Sequence, residues 1–412
     1  MTRFSEDKRD SCEGGDTGKM TWYTCTPVSF GGGPDFFCRD SGLICKGLQS
    51  RGLPCKSVMP LPEHPGDVTE DLIRTEGTNL ACPDWWSSIG ASKVVLYSWA
   101  DYRYWRMAEA IRNSGARVFL NLDGSGIMSP RVTPGLYFCG VMGEQVRLHG
   151  CPIGAVTGAL RCLAYSFYIP FVQEPGRIAH MRAATAIGCI STPALALWRL
   201  WARMYAPEVV ERMHLVPNPV ADYLSYDPTV PKRDIVMAVG RWDDEVHKRP
   251  ALLASTIAEV AKRRGTTEFH IYGNPGRIIL TWHASLPQDI RKRIYLHGRV
   301  SHVELLGGFM QSRVGLCTSS HEGSHVASEE ALCAGASVVA PLRRQLNAML
   351  WYVSHDSGRL STEDSTQNLA ETLLMELEAW ERGERDPVAI SSYWQSLLSV
   401  SAVTRRIQEL LE

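Results

Sequence analysis

The stretch 314–341 constrains the fold of this chain more than any other. It contains two short apolar runs, 314–317 and 337–340, of the kind that form buried strands. Between them, small apolar residues recur at helical spacing, with Ser324 placed to cap a helix and Gly335 placed to end it. The stretch therefore predicts a strand, a turn, a helix and a second strand, which is the repeating unit of a parallel sheet.

Two acidic residues mark this unit as a candidate site. Glu322 lies in the Gly/Ser turn where the strand ends and the helix begins, and Glu330 follows eight residues later. Free backbone N–H groups at such a turn can hold anionic or hydroxyl-rich ligands. Glu329 has the simpler interpretation of a solvent-facing carboxylate on a surface helix.

The stretch resembles the signature of the retaining glycosyltransferases of family 4. That signature is a Glu, seven residues, a second Glu, then Ala-x-Ala/Cys-x-Gly and an apolar strand ending in Pro, which matches Glu322, Glu330 and the segment 331–341. The resemblance implies an α/β protein of the GT-B fold, with two doubly wound Rossmann-like domains facing across a cleft. It also implies hexosyl transfer from a nucleotide-diphosphate sugar to an acceptor hydroxyl or other nucleophile, with retention of anomeric configuration.

Length and composition agree with a globular protein of two domains. The chain has 412 residues, 44% of them hydrophobic and 21% charged, and a net charge of -1. A net charge near zero does not predict the broad basic surface that binds nucleic acid. No run of 18 uncharged apolar residues occurs, and the polar segment 1–19 lacks a signal-peptide core, so we expect no transmembrane segment and a cytoplasmic location. The twelve cysteines lack zinc-binding spacing, and we expect reduced thiols and no metal site.

Changes in composition along the chain predict its domains. Segment 1–19 is a flexible tail, and 20–216 forms an acceptor-binding Rossmann-like domain. The Pro-rich segment 217–232 is a hinge, because its prolines cannot join a central sheet. Segment 233–386 forms the nucleotide-sugar-binding domain, and 387–412 is a terminal helix that the resemblance directs back to the first domain.

The first half alternates strands and helices, which favours a parallel sheet with ligands at the carboxyl ends of its strands. Gly32 and Gly33 follow the first strand, where the resemblance places a donor-phosphate loop, although three glycines alone are more often a simple turn. Trp99 and Asp123 follow later strands and are acceptor-side candidates, as is His180. Asp123 could equally begin an Asx turn, and a solvated helix face is the simplest account of the cations in 176–182, which include His180.

The segment 159–168 is rich in apolar and aromatic residues. It could be core, an acceptor-binding wall or a membrane-surface helix. Because an interfacial helix normally carries a strongly charged face, we expect core or acceptor wall.

The second half carries most of the implied site. Arg241 and Lys248 flank a strand-to-helix turn, where cations and free N–H groups can clamp a diphosphate, although such cations are usually ordinary surface charge. The resemblance makes Arg241, Lys248 and Glu322 catalytic. It assigns donor binding, including ribose binding by Glu330, to a wider set: Gly32, Gly33, Gly240, Gly273, Arg299, Val300, Ser320, Gly323, Ser324 and Glu330.

The chemistry that the resemblance implies is electrostatic. The two cations would stabilise charge on the departing diphosphate, so that no metal or other cofactor is needed, and the leaving phosphate would accept the acceptor's proton. Three alternatives stay open: an epimerase or phosphorylase of the same fold, a non-catalytic nucleotide-sugar binder, and a dehydrogenase. The dehydrogenase is disfavoured because the dinucleotide glycine pattern and its ribose-binding acid are missing. The donor base, the donor sugar, the acceptor and the oligomeric state do not follow from the sequence.

Overall fold

The computed structural model describes residues 21–99, 101–126, 131–343, 345 and 347–412, and this part of the chain forms two parallel β-sheets. The tail prediction for 1–19 lies outside the described residues. The first sheet has the strand order β3-β2-β1-β4-β5-β6-β7. Its strands are β1 Thr21–Cys25, β2 Cys55–Pro60, β3 Leu72–Thr75, β4 Ala91–Tyr97, β5 Arg117–Leu122, β6 Ala186–Cys189 and β7 Met213–Leu215.

The second sheet has six strands in the order β10-β9-β8-β11-β12-β13. They are β8 Arg233–Val239, β9 Glu268–Tyr272, β10 Ile294–Gly298, β11 Ser312–Leu316, β12 Ser337–Pro341 and β13 Gly358–Ser361. Every pairing in both sheets is parallel. The prediction of two doubly wound α/β sheets is therefore confirmed.

Helices connect most consecutive strands in both halves, although no helix lies between β2 and β3. The first half contains α1 Pro34–Phe37, α2 Asp40–Ser50, α3 Pro83–Ser88, α4 Trp105–Asn113, α5 Pro134–His149, α6 Ile153–Tyr168, α7 Glu174–Ala183 and α8 Thr192–Tyr205, with a π-helical turn Ile169–Gln173 between α6 and α7. The second half contains α9 Pro250–Arg263, α10 Gly276–Ser285, α11 Gln288–Arg291, α12 His302–Gln311, α13 Val326–Cys333, α14 Met349–Tyr352, α15 Thr366–Glu381, α16 Pro387–Leu398 and α17 Val400–Leu411.

The strand order places one switch point in each sheet. Chain progression reverses between β1 and β4 in the first sheet and between β8 and β11 in the second. In open parallel sheets, ligands bind at the carboxyl ends of the strands that flank such a point. The loops after β8 and β11 are 240–249 and 317–325, and they contain Arg241, Lys248 and Glu322, whereas Glu330 lies in α13 directly after the second loop.

The predicted terminal segment 387–412 consists of two helices. Helix α16 packs against α13 of the second half, whereas α17 packs against α2 and β5 of the first. Arg117 Nη1 donates hydrogen bonds of 2.7 Å to the carbonyls of Leu411 and Glu412. The chain thus crosses between the sheets twice, and Val220 and Ser399 form a β-bridge where the crossings meet. The domain boundaries themselves stay predictions.

Helix α6 differs from the expectation for its segment. Leu160, Leu163 and Phe167 are 59–64% exposed, so the prediction that they belong to the core is wrong. The helical run Ile153–Ala183 is long and apolar enough to cross a membrane, by length and composition alone, and little of its most apolar window is buried. Periodicity shows that a helix has an apolar face but not what covers that face.

Helix α13 begins one residue later than predicted. Its N-cap is His325, and Ser324 makes no capping hydrogen bond. The Ser324 hydroxyl instead donates to Glu329 Oε1 at 2.7 Å, because Glu329 is fully buried rather than solvent-facing. Gly335 follows the helix with φ of +75°, as predicted for the residue that ends it.

Candidate functional site

A cleft of about 470 Å³ lies at the carboxyl ends of β8, β9, β10 and β11. Nine of the residues predicted for the site line it. They are Gly240, Arg241, Lys248, Gly273, Arg299, Val300, Glu322, Ser324 and Glu330. Residues as much as 90 positions apart in the chain are therefore brought to one surface by the switch point of the second sheet.

Glu322 and Lys248 form an ion pair in this cleft. Lys248 Nζ donates to Glu322 Oε1, and His247 Nε2 lies 3.1 Å from the same oxygen. The side chains of Lys248 and Glu322 are 13% and 9% exposed. Burial raises the pKa of Glu322, but contact with His247 and the positive charge of Lys248 outweigh it and hold that pKa below its usual value. Glu322 is therefore an anion near neutral pH.

Glu330 is held by a second hydrogen-bonded chain. His302 Nε2 and Glu330 Oε1 are 2.8 Å apart, and His302 Nδ1 lies 2.7 Å from the Tyr223 hydroxyl. The hydrogen bond with Glu330 raises the pKa of His302, against the opposing effect of burial. A carboxylate fixed in this way can still accept hydrogen bonds from vicinal hydroxyl groups of a ligand through its second oxygen.

Arg241 supplies positive charge at the mouth of the cleft. Its side chain is 72% exposed, and Asp244 Oδ2 lies 3.6 Å from its Nη2. Arg299 also lines the cleft and is exposed. With Lys248 these residues make a cationic rim beside the loop after β8, a composition suited to a diphosphate.

Two glycines allow the ends of β8 and β9 to approach each other. Gly273 has φ of +98°, and a Cβ added there would lie 1.9 Å from the Gly240 carbonyl oxygen. The Gly273 N–H donates to the Gly298 carbonyl at 2.7 Å. A side chain at position 273 would therefore disturb both loops that line the cleft.

Arg249 lies behind the cleft and outside its lining. Arg249 adopts a left-handed conformation with φ of +53°. Its guanidinium pairs with Asp364 at 2.7 Å, and its Nε donates to the Thr318 carbonyl at 2.7 Å. These contacts offset a conformation that is costly for a non-glycine residue.

The two halves meet at Gly323. A Cβ added to Gly323 would lie 3.1 Å from Gly124 Cα and 3.5 Å from Asp123 Oδ1. The Asn347 side-chain amide also donates to the Ser125 carbonyl at 2.6 Å. Asp123, an acceptor-side candidate, therefore lies against the turn that carries Glu322, at the carboxyl end of β5.

Two carboxyl groups at this contact, the half-buried Asp123 and the buried Glu329, have raised pKa values. Burial and the nearby charge of Asp40 raise the pKa of Asp123 to about 7. Burial also raises the pKa of Glu329 to about 8, although the Ser324 and Tyr352 hydroxyls both donate to its Oε1. Glu329 is therefore protonated at neutral pH, and its Oε2 has no hydrogen-bond partner among the described residues.

The remaining predicted residues lie outside the cleft. Trp99 lines a separate cavity of about 780 Å³ with Tyr137, Tyr168 and Arg177. His180 is buried, its Nε2 lies 3.3 Å from the Ser98 hydroxyl, and burial lowers its pKa to about 4, so the solvated-face interpretation is wrong.

The glycine loop and Ser320 also lie apart from the cleft lining. The Gly32 N–H donates to Asp67 at 2.8 Å, and Gly33 precedes the short helix α1. Ser320 lines a cavity of about 240 Å³ between α5 and the second half.

Sequence reasoning missed Arg39, Tyr272, His247 and His302. All four line the cleft, and Arg39 reaches it from the first half. His247 immediately precedes Lys248, and His302 follows the Arg299-Val300 segment, so their positions beside predicted residues were the available signal. Among the described residues, no group of three or more His, Cys, Asp or Glu is arranged to hold a metal ion.

Comparison with known proteins identifies the fold of the chain, and one family model matches part of its second half. Residues 233–378 match the family model described as "Glycosyl transferases group 1". No curated protein matches the chain significantly. The segment that matches contains Arg241, Lys248, Glu322 and Glu330.

Solved GT-B structures superpose on nearly the whole chain. One is the lipopolysaccharide outer core galactosyltransferase WaaB in its apo form, with TM-score 0.62, 13% identity and coverage of 95% of this chain and 99% of that one. HepE of Anabaena in complex with UDP gives TM-score 0.61, 13% identity and coverages of 95% and 99%. Sucrose-phosphate synthase from Thermosynechococcus elongatus gives a TM-score of 0.60 and 13% identity, and the match covers 95% of this chain and 98% of that one. The protein therefore has the two-domain GT-B fold.

Proposed function

We propose that this protein is a retaining glycosyltransferase that moves a sugar from a nucleotide-diphosphate sugar to an acceptor hydroxyl. The observation that carries the proposal is the cleft at the switch point of the second sheet, where cations and anchored carboxylates occur together. Support also comes from the match of residues 233–378 to a glycosyltransferase family and from similar structures that hold UDP, UDP with glucose, or UDP-glucose.

Each part of the donor has a matching group in the proposed complex. Arg241 and Lys248 bind the diphosphate, Glu330 accepts hydrogen bonds from the ribose hydroxyls, and Arg299 with Val300 lies beside the base. Glu322 and the Gly323–Ser324 turn hold hydroxyls of the donor sugar. Gly32 and Gly33 are proposed to approach the donor from the first half, with Trp99 and Asp123 on the acceptor side.

The chemical step is a front-face displacement. The bond between the anomeric carbon and the β-phosphate oxygen breaks, and the acceptor oxygen bonds to that carbon on the same face. The acceptor's proton passes to an oxygen of the departing phosphate, so no protein nucleophile is needed. This step is supported by the state of Glu322, whose carboxylate is held by Lys248 and His247 rather than free to attack. Arg241 and Lys248 stabilise the developing phosphate charge, and no metal or other cofactor enters the proposal.

Nucleotide binding tests the cleft directly. A thermal-shift screen of UDP, GDP, ADP and dTDP, each with and without Mg²⁺, is expected to give a rise in melting temperature with one diphosphate, because a ligand that binds only the folded state stabilises it. The rise should not need Mg²⁺. Arg241→Ala is expected to weaken binding by about tenfold or more, as loss of one charge-assisted contact predicts, without loss of stability because Arg241 is exposed.

Lys292→Ala provides the control, since Lys292 is exposed at the amino end of β10, opposite the cleft. A shift that Arg241→Ala and Lys292→Ala reduce equally, or no shift with any diphosphate, would contradict the proposed donor site. Binding without transfer would favour the non-catalytic binder, and turnover without an acceptor would favour the epimerase or phosphorylase.

The stereochemistry is tested separately by NMR of the product's anomeric proton. Inversion would overturn the front-face step and would point to Asp123 as the base, since its pKa of about 7 suits proton transfer. A cytoplasmic location stays a prediction.

A further inference from the structure

Helix α6 presents an uncovered apolar stripe to solvent. Its members recur every three or four residues, so they share one face, and each is 59–75% exposed; they are Ile153, Val156, Leu160, Leu163, Phe167 and, beyond the helix end, Phe171. At about 1.5 Å per residue the stripe runs for nearly 30 Å. Contiguous apolar surface of this extent marks an interaction site rather than ordinary exposure.

The opposite face of α6 explains why this stripe is left bare. Gly154 and Gly158 are buried against α5, where an added Cβ would lie 2.4 Å from the Gln145 carbonyl oxygen and 2.7 Å from Met142 Sδ, respectively. Glycines allow the two helices of the α5–α6 hairpin to pack closely. The large apolar side chains therefore project away from the only helix that α6 contacts extensively among the described residues.

The charge of the hairpin differs in sign from that of the whole chain. Residues 131–173 contain three arginines and one acidic residue, Glu144, which gives a net charge of +2, whereas the chain carries -1. Arg161 flanks the stripe near its middle, and its Nε donates to the Tyr165 hydroxyl at 2.9 Å. An apolar stripe with an arginine at its edge, on a hairpin of net positive charge, is complementary to an anionic lipid surface.

We propose that the α5–α6 hairpin docks onto an anionic lipid bilayer, with the α6 stripe buried at the interface. The helix lies on the bilayer and does not span it, because the continuation α7 is fixed to the protein. Glu174 Oε2 accepts hydrogen bonds from Trp201 Nε1 at 2.6 Å and Arg177 Nη1 at 3.2 Å, all within buried side chains. A spanning helix would break this network.

The end of the stripe lies next to the cavity that Trp99 lines. Tyr168, at the end of α6, lines that cavity, and its hydroxyl lies 2.6 Å from that of Tyr102. A bilayer contacting Phe167 and Phe171 would therefore adjoin an opening of the first half. The stripe lies apart from the donor cleft. Vesicle binding can therefore be present or absent regardless of whether the protein binds nucleotides.

Sedimentation with vesicles tests the proposal. The full-length protein is expected to bind vesicles that contain roughly one-third phosphatidylglycerol in phosphatidylcholine, and to bind less at high salt, because the arginines contribute. The double variant Leu160→Asp/Leu163→Asp is expected to lose about tenfold or more of the binding, because two apolar side chains no longer enter the interface.

Leu280→Asp on α10 is the matched control, since Leu280 is 52% exposed and lies on the second half. It should bind vesicles as wild type does. The melting temperature of the double variant and its response to nucleoside diphosphates report whether it is folded, and Phe171→Ser, beyond the helix, replaces it if it is not.

Four results would overturn the proposal. One is the absence of vesicle binding by wild-type protein, and another is an equal loss in Leu280→Asp. The third is a dimer, seen by analytical ultracentrifugation, that the double variant abolishes while vesicle binding stays weak, which would assign the stripe to a second copy of the chain. Resistance to extraction by alkaline carbonate would replace docking by a membrane span.

Discussion

Glu329 is a carboxyl group that the folded protein keeps protonated. Its pKa is raised from 4.5 to about 8 by burial, so the folded state retains a proton that the unfolded state has lost over that interval. The stabilising contribution of this proton is present at low pH and is lost as the pH rises through about 8. The contribution of Glu329 to the stability of the wild-type protein should therefore fall between pH 5 and pH 8.5.

Glu329→Gln tests this because glutamine resembles the protonated acid and does not ionise. The difference in melting temperature between this variant and wild type is expected to grow in favour of the variant from pH 5 to pH 8.5. Each kcal/mol by which the free energy of unfolding of wild type falls should add about 2–4 °C to this difference. Glu70→Gln, at an exposed loop position, is the control and should show no such trend. A difference from wild type that stays constant with pH would contradict the assigned pKa.

A residue of the cleft could be predicted from the sequence when the pattern that indicates it lies within one short stretch of the chain. Glu322 and Glu330 stand in one continuous pattern, and Arg241 and Lys248 follow one strand, so the sequence indicated all four. Burial of Glu329 depends on Tyr352, whose helix packs over it from 23 positions further along the chain. No local pattern contains that contact.

Among the elements, the loop after β9 depends most on a single residue. Gly273→Ala is expected to destabilise the protein by about 2 kcal/mol or more, because it forces alanine into a left-handed conformation and against the Gly240 carbonyl. Since both loops line the cleft, affinity for a nucleoside diphosphate should fall as well. Urea unfolding and the thermal-shift screen measure the two effects.

Gly265→Ala is the matched glycine control. Position 265 has no atom within 4 Å of an added Cβ and no positive φ, so its stability should change little. Equal effects of the two substitutions would show that the approach of the β8 and β9 loops is not the cause.

The helices and strands were predicted better than the contacts that each one makes with neighbouring parts of the chain. Alternating apolar strands and helices indicated both parallel sheets, because each strand carries its own signal. The exposure of α6 was not predicted, since it depends on which of its faces packs on α5 through Gly154 and Gly158. The cap of α13 was misassigned for a similar reason, because the Ser324 hydroxyl is used by Glu329.

At the scale of the whole molecule, α17 completes the core of the first half. Val403, Ile407 and Leu411 are buried in one apolar cluster with Ile44 and Leu48 of α2. Deleting residues 400–412 is expected to cost about 5 kcal/mol or more, from the exposure of three apolar side chains. Amide hydrogen exchange should show lost protection in α2 while β11 and β12 stay protected.

Gln408→Ala is the control for this deletion. It removes only exposed hydrogen bonds, those that Gln408 accepts from Arg51 and the one it donates to Glu412, so the stability should change by about 0.5 kcal/mol or less. Unchanged protection of α2 in the truncated protein would contradict the role assigned to α17.

The position of α17 also bears on the order in which the chain folds as it is synthesised. Domains generally fold as units from the amino terminus during translation. Here the residues that close the core of the first half follow the whole second sheet in the chain, so the first half emerges from the ribosome with an apolar surface on α2 still uncovered. We therefore expect the first half to need protection by chaperones until the second half is complete.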